Sequence, residues 1–195
     1  QEAANVLRHT VGVQTANCKV PMVLLEGEGE FRTVSSSAVS ARSGEAPFND
    51  SRLSQQWHYN NDGSLGGSKA GADINLFEAW KTTTGKKDVV VAIIDGGVDV
   101  AHEDLKDNML ANEAELNGQP NVDDDGNGYV DDKYGYNFVR NTPITSWTSN
   151  GSTGHGTHVA GTIAAVNDNG IGVAGIAGGG KGKRGVKIMT LQLFD

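Results

Sequence analysis

The stretch Asp88-Val-Val-Val-Ala-Ile-Ile-Asp95 decides the fold of this chain. A short, apolar, β-branched run between two charged residues is typical of a strand that is buried on both faces, and hence of a parallel sheet. Asp95 closes the run and is followed by Gly96 and Gly97, which allow a sharp turn. Because functional groups of open α/β sheets collect at the carboxyl ends of strands, Asp95 is a candidate catalytic residue; the alternative is a residue that only caps the turn.

The apolar patterns on either side of this strand predict the rest of the fold. Tyr136–Val139 and Val186–Phe194 are the next predicted strands. Apolar residues at helical spacing, with small Ala and Gly between them, predict a helix over Gly156–Val166 that packs closely on a sheet. A short helix is predicted over Asn75–Trp80. The order helix, strand, strand, helix, strand indicates an α/β layer fold.

Residues 1–46 differ in composition from the rest of the chain. Val20–Leu25 is a candidate strand, and Val34–Gly44 has the serine-rich composition of an exposed linker. Further along, turn signals alternate with apolar runs as they do in globular domains. We therefore expect a short N-terminal extension, 1–46, followed by a globular domain, 47–195.

A second candidate catalytic group lies in Ser152-Thr-Gly-His-Gly-Thr-His-Val-Ala-Gly161. His155 is expected at the amino end of the predicted helix, again at the edge of a crevice. A catalytic base needs a partner that fixes its tautomer, and a buried carboxylate such as Asp95 would be that partner. His158, one helical turn further on, is better explained as a packed histidine without a chemical role.

These motifs carry a family resemblance. Asp95-Gly-Gly-Val-Asp99 and His102-Glu-Asp-Leu105, followed by His155-Gly-Thr-His-Val-Ala-Gly-Thr-Ile-Ala-Ala165, resemble the Asp and His motifs of the subtilisin family, the subtilases. The resemblance implies a partial subtilisin-like parallel sheet flanked by helices. It also implies a serine endopeptidase that acts on polypeptides and is secreted or located in the cell envelope. In such an enzyme His155 is the general base, and Asp95 orients it.

The resemblance runs from about Asn49 to Asp195, with two departures from the family pattern. Gly96 stands where the family usually has Ser or Thr. The Gly-Thr-Ser-Met-Ala segment that carries the nucleophile does not occur, nor does the Asn that donates to the oxyanion. We therefore expect 47–195 to be the truncated N-terminal part of a catalytic domain, inactive alone, and 1–46 to be a propeptide-like or linker extension. The serine would come from the remainder of the catalytic domain or from a second chain.

The acidic loop Asn121–Asp132 predicts a calcium site. Hard oxygen ligands occupy positions 1, 3, 5 and 9 of a calcium loop, and a glycine occupies position 6. Position 12 is Tyr134 rather than Glu, so another ligand such as Asp132 must complete the site. An acidic loop that is merely solvated is the alternative. The predicted ligands are Asp123, Asp125, Asn127 and Asp131.

A second calcium site follows from the resemblance alone. Thermitase-like subtilases bind calcium between an N-terminal Asp, an Asp after the first strand, and the loop that follows the His helix. This implies ligands from the side chains of Asp50, Asp104 and Asn169 and from the main-chain oxygens of Val166, Ile171 and Val173.

Composition argues against several functional classes. The formal net charge is −8 and there is no basic stripe, so a nucleic-acid partner is not predicted. No run of 18 apolar residues occurs, and no membrane span is predicted. Gly170–Gly175 matches a dinucleotide fingerprint in letters only, because it follows a predicted helix rather than a strand. The alternative function that remains open is a non-catalytic, calcium-stabilised binding module.

Overall fold

The computed structural model describes residues 45–144 and 151–193. The candidate strand Val20–Leu25, the linker Val34–Gly44 and all but the last two residues of the extension 1–46 lie outside these ranges. The division of the chain at residue 46 therefore stays a prediction.

The described chain alternates short helices with strands. Its elements in chain order are α1 (Leu76–Ala79), β1 (Val90–Asp95), α2 (Glu113–Asn117), β2 (Gly135–Asn137), β3 (Thr142–Pro143), α3 (Gly151–Ala164), β4 (Gly179–Gly180), β5 (Lys183–Arg184) and β6 (Lys187–Gln192). Two further single turns of 3-10 helix lie at Leu53–Gln55 and Lys106–Asn108. Within the described ranges, every helix is too short or too polar to cross a bilayer.

The main sheet has four strands in the order β1, β6, β2, β3. β1 and β2 both run parallel to β6, and β3 is antiparallel to β2. The register pairs Val90 with Lys187 at one end and Asp95 with Gln192 at the other, so Asp95 lies at the carboxyl edge of the sheet. The predicted α/β fold with a parallel sheet and flanking helices is confirmed.

Side chains of β6 alternate between the two faces of the sheet, as the two-residue period of a strand requires. Ile188 joins the larger core under helix α3, whereas Met189 and Leu191 pack with Tyr129 and Tyr136 on the opposite face. The larger core consists of Ile93, Val98, Val100, Leu105, Met109, Ile144, Ala160, Ala164, Val186 and Ile188. Apolar burial on both faces therefore fixes the position of β6 at the centre.

β1 is more exposed than its sequence predicts. Ile93 is buried, but Ile94 is 46% exposed and the adjacent Val89 is 48% exposed. Val91 and Ile93 pack on the core under helix α3 and Val90 and Ala92 on the opposite face, so the predicted burial on both faces holds for most of the strand and fails at Ile94. The reason is its position, because β6 is its one strand partner among the described residues, which leaves the other edge of β1 uncovered.

Helix α3 packs on the sheet through small residues. Ala160 and Ala164, four residues apart, are completely buried in the core under the helix. The helix begins at Gly151 and ends at Ala164, earlier at both ends than predicted. His155 therefore lies in the second helical turn rather than at the amino end.

Four short elements, α2, β3, β4 and β5, were not predicted from the sequence. Helix α2 is one turn long, too short for a helical pattern to show. β4 and β5 form a hairpin whose two turn residues, Lys181 and Gly182, both have positive φ, at 52° and 77°. This is the geometry that two-residue hairpin turns favour. Glycines and lysines are poor strand formers, so the sequence carries no strand signal here.

Candidate active site and metal sites

Asp95 is the last residue of β1, at the carboxyl edge of the sheet. Its carboxyl side chain is 17% exposed. The main-chain N–H of Gly96 donates to Asp95 Oδ1 at 2.7 Å, and the main-chain oxygen of Asp95 accepts from Leu193. Gly97 has φ 109°, a conformation in which a side chain would be strained. The double glycine thus turns the backbone and supplies a hydrogen bond to the carboxylate.

His155 contacts this carboxylate directly. Its Nδ1 lies 2.8 Å from Asp95 Oδ2 and 3.0 Å from Oδ1. A carboxylate at this distance holds the proton on Nδ1, so that Nε2 is the nitrogen left to accept a proton from another group. The imidazole side chain is 73% exposed, which keeps Nε2 accessible to another group. The two residues that the sequence singled out as catalytic therefore form a pair.

Close contact between helix α3 and the loop after β1 sets this distance. A methyl group at Gly156 would overlap the main-chain oxygen of Gly97 and approach Asp95 Cβ to 3.2 Å. One residue further along the helix, Thr157 Oγ1 accepts a hydrogen bond of 2.9 Å from the main-chain N–H of Asp99. The absent side chain of Gly156 and the hydroxyl of Thr157 together hold His155 against the strand end.

Replacing Gly156 with alanine in the full-length protein should therefore push the helix away from β1. We expect a loss of about 1–3 kcal/mol in the free energy of unfolding, the usual cost of an inserted methyl group in tight packing. Gly161→Ala is the matched control, because the added methyl group would meet no atom within 4 Å. It should be neutral or stabilising. Chemical denaturation checks both values, and equal effects of the two substitutions would contradict this packing argument.

The acidic loop folds around its own main-chain amides. Asp123 accepts hydrogen bonds from the N–H groups of Asn127 at 3.1 Å and Gly128 at 2.7 Å, and Asp125 accepts from Asn127 at 3.0 Å. The loop therefore brings three of the four predicted ligands, Asp123, Asp125 and Asn127, close together.

A tight carboxylate cluster lies at the base of this loop. Glu115, Asp125 and Asp132 each offer an oxygen, and these oxygens all lie within 4.8 Å of one another. Glu115 and Asp132 are buried, and Asn112 Nδ2 donates to Asp125 at 2.9 Å and to Asp132 at 2.8 Å. Burial, together with the negative charges of Asp125 and Glu115, raises the pKa of Asp132 to about 6. Hard oxygens at this density match the ligand preference of calcium.

Asp131 and Glu115 differ from the sequence expectation. Asp131 points to the main-chain N–H of Asn121 at 2.8 Å and to the Lys133 ammonium at 3.2 Å, and the first of these contacts lowers its pKa. Glu115, which the sequence analysis missed, accepts from the N–H groups of Asp124 at 2.7 Å and Asp131 at 2.8 Å. It belongs to helix α2, outside the loop motif, so no ligand spacing pointed to it.

The second expected metal site also comes together. Asp104 is only 3% exposed, and its carboxylate accepts from Asn169 Nδ2 at 2.8 Å and from the N–H of Val173 at 3.0 Å. Asp50, 5% exposed, accepts from the N–H of Asp168 at 2.9 Å. Residues from three distant parts of the chain therefore surround one buried position.

The electrostatics of this position favour a positive charge. Burial raises the pKa of both Asp50 and Asp104, and the charge of Asp50 raises that of Asp104 further. The loop that carries the expected main-chain ligands wraps around Asp104, since the N–H of Val166 donates to its main-chain oxygen at 2.8 Å. In the same loop the N–H of Ile171 donates to Asn169 Oδ1 at 2.7 Å. Two buried carboxylates beside this loop fit a divalent cation.

Comparison with known proteins agrees with this geometry. The model of the subtilase family matches residues 86–189. Subtilisin-like protease 1 of Plasmodium vivax is 40% identical over 134 residues, which cover 69% of this chain and 19% of that protein. An extracellular protease of Xanthomonas campestris pv. campestris is 39% identical over 143 residues, which cover 68% of this chain and 21% of that protein.

Two solved structures of a serine protease are also similar to this chain. The serine protease of Aeromonas sobria, in complex with its chaperone, matches with a TM-score of 0.55 and 31% identity, over 82% of this chain and 23% of that one. The same protease alone matches with a TM-score of 0.52 and 30% identity, over 84% of this chain and 24% of that one.

A carboxylate at the end of a parallel strand that contacts the Nδ1 of an imidazole has the arrangement of the Asp and His in a triad hydrolase. The fold and this pair therefore define the class of the protein. With the family match over residues 86–189, the chain belongs to the subtilase family. It spans about a fifth of the length of the curated relatives that it matches.

Proposed function

We propose that the full-length protein containing this chain is a serine endopeptidase, with Asp95 and His155 as two members of its triad. The observation that carries this proposal is the 2.8 Å contact between Asp95 Oδ2 and His155 Nδ1. His155 would remove the proton of a serine hydroxyl through Nε2 while that serine attacks the peptide carbonyl. Asp95 would stabilise the imidazolium, which then returns its proton to the leaving amine, and water would release the acyl group.

The nucleophile of this reaction would come from outside these 195 residues, either from the remainder of the catalytic domain or from a second chain. We propose that the 195-residue polypeptide is inactive alone, because loss of the nucleophile costs a triad protease about a millionfold in turnover. Gly96 replaces the usual hydroxyl residue of the family. Its N–H donates to Asp95 at 2.7 Å, which supports an oriented carboxylate despite the substitution.

A serine-reactive fluorophosphonate probe tests the proposed function. The full-length protein should be labelled and should hydrolyse a fluorogenic peptide, whereas the 195-residue polypeptide should do neither. A non-catalytic, calcium-stabilised binding module would remain unlabelled in both forms. Labelling of the 195-residue polypeptide at one of its own serines would contradict the proposed source of the nucleophile.

We further propose that the chain binds two calcium ions. One would lie in the acidic loop, with oxygens of Glu115, Asp125 and Asp132 and with Asp123 and Asn127 beside them. Calcium would neutralise this carboxylate cluster and so hold the loop in place. Asp131, predicted from the sequence as a ligand of this ion, contacts the main-chain N–H of Asn121 and the ammonium of Lys133 instead.

The second calcium ion would lie between Asp50 and Asp104. Asn169 and the main-chain oxygens of Val166, Ile171 and Val173 would complete the ligand set. This ion would connect the segment before α1 with the loop that follows helix α3. It would therefore stabilise the domain without taking part in peptide hydrolysis.

Secretion to the cell exterior or the cell envelope is the localisation that we propose. Relatives from Xanthomonas campestris and Dichelobacter nodosus are extracellular proteases by name. Two sites made of hard oxygen ligands also suit an environment in which calcium is abundant.

A further inference from the structure

A cavity of ≈ 390 Å³ lies beside the point where the described chain begins, and Glu45 forms part of its wall. Its interior is aromatic. The ring centroids of Phe48 and Trp80 are 4.9 Å apart, and Phe77 stacks on Trp80 at 5.6 Å. A concave, aromatic interior of this size is typical of a binding pocket. It lies apart from Asp95 and His155, which are not among the residues that line it.

The charged residues that line this cavity are the lysines Lys81, Lys181 and Lys183 and the carboxylates Glu45 and Glu78, so that positive charge is in slight excess. Lys181 and Lys183 are exposed and belong to the β4–β5 hairpin, whose turn at Lys181 and Gly182 has positive φ. Lys81 also lines the rim, but Glu78 neutralises it through an ion pair of 2.6 Å. Over residues 45–144 and 151–193, no carboxylate forms an ion pair with Lys181 or Lys183. The rim therefore favours an anionic partner with an apolar group.

We propose that this cavity binds the acidic segment of the same chain, Leu25-Glu-Gly-Glu-Gly-Glu-Phe31. Glu26, Glu28 and Glu30 place three carboxylates within five residues, and Phe31 follows them directly. These carboxylates complement the lysines of the rim, and Phe31 supplies the apolar group for the aromatic interior.

The length of the intervening chain permits this contact. Residues 32–44 connect the acidic segment to Glu45, which is itself part of the cavity wall. At ~3.3–3.6 Å per extended residue, this connection reaches roughly 40 Å, which exceeds the size of the cavity. A tether of this kind gives an effective concentration on the order of millimolar, so that a few weak ion pairs suffice for binding. The inference is independent of the proposed protease function.

Zero-length carbodiimide coupling tests the proposal, because it joins only carboxylates and amines that are in contact. We expect coupling between the glutamates of the acidic segment and Lys181 or Lys183 in the full-length protein, located by peptide mass spectrometry. The double substitution Lys181→Glu and Lys183→Glu should reduce it at least fivefold. Adding Glu26→Lys, Glu28→Lys and Glu30→Lys should restore it. The control is Lys86→Glu with Lys87→Glu, exposed lysines outside the cavity, which should have no effect.

An equal mixture of ¹⁴N- and ¹⁵N-labelled protein separates coupling within one chain from coupling between chains. Peptides of a single isotope support the proposal. Mixed-isotope peptides would overturn it in favour of a second copy as the occupant. Coupling of the acidic segment to lysines outside the cavity in equal yield, or coupling that survives charge reversal, would overturn it as well.

Discussion

His155→Ala should lower the turnover of the full-length protein by about a millionfold, with little change in folding. Removal of the general base in the subtilisin triad costs about this much, because the nucleophile then keeps its proton. The exposure of the His155 side chain, at 73%, means that its truncation leaves no cavity in the core. Stopped assays with a fluorogenic peptide measure the loss, and thermal unfolding measures the integrity of the fold.

Asp95→Asn should have a smaller effect, of about ten-thousandfold. An amide can still contact Nδ1 of His155, but it favours the wrong tautomer and cannot stabilise the imidazolium. The substitution keeps the shape of the side chain, so the hydrogen bond from Gly96 has an oxygen to accept it.

His158→Ala is the matched control for both variants. His158 is exposed rather than packed as the sequence predicts; it lies on the same helix, one turn beyond His155, and among the described residues no hydrogen bond joins it to Asp95. Its replacement should change turnover by less than about twofold. A loss as large as that of His155→Ala would contradict the assignment of His155 as the base.

The main strands were predictable because their signal is local. β1 is a short apolar run rich in β-branched residues, and β6 carries the apolar residues Ile188, Met189 and Leu191 around Thr190, so both strands leave a local signal in the sequence. The exposure of Ile94 was not predictable, since it depends on which strand covers the outer edge of β1. A sequence pattern shows which side chains of a strand are apolar enough to be buried, but the neighbouring strands and helices decide which of them are buried.

The metal sites show the same difference between ligands that a local motif predicts and ligands that only the fold brings together. The alternating oxygens of Asp123, Asp125 and Asn127 form a local motif. Glu115 takes its position from the main-chain N–H groups of residues far along the loop. Asp50 and Asp104 were found through the family resemblance, because a contact between such distant residues leaves no spacing to recognise.

Removal of calcium should cause the largest loss of stability. A single site that is filled at a thousand times its Kd stabilises the folded state by about 4 kcal/mol. For a domain of this size, that corresponds to a fall in Tm of roughly 8–16 °C. We expect addition of EGTA to the full-length protein to produce at least this shift in calorimetry, and calcium to reverse it where unfolding is reversible.

Variants of each calcium site should show a smaller fall in Tm on addition of EGTA. Asp50→Asn with Asp104→Asn should remove the part of the EGTA-induced fall in Tm that comes from the buried site. Asp125→Asn with Asp132→Asn should remove the part that comes from the acidic loop. The control Asp88→Asn removes an exposed carboxylate outside both sites and should leave the response to EGTA unchanged.

At the calcium site of the acidic loop, two substitutions distinguish the ligands seen in the structure from those that the sequence predicts: Glu115→Gln and Asp131→Asn. Glu115 lies in the carboxylate cluster, whereas Asp131 contacts Asn121 and Lys133. Because calcium prefers charged oxygen ligands, Glu115→Gln should weaken calcium binding at least tenfold in titration calorimetry, and Asp131→Asn by less than about threefold. The reverse order would place the ion at Asp131, and the loop would then have to turn that carboxylate away from Lys133 when calcium binds.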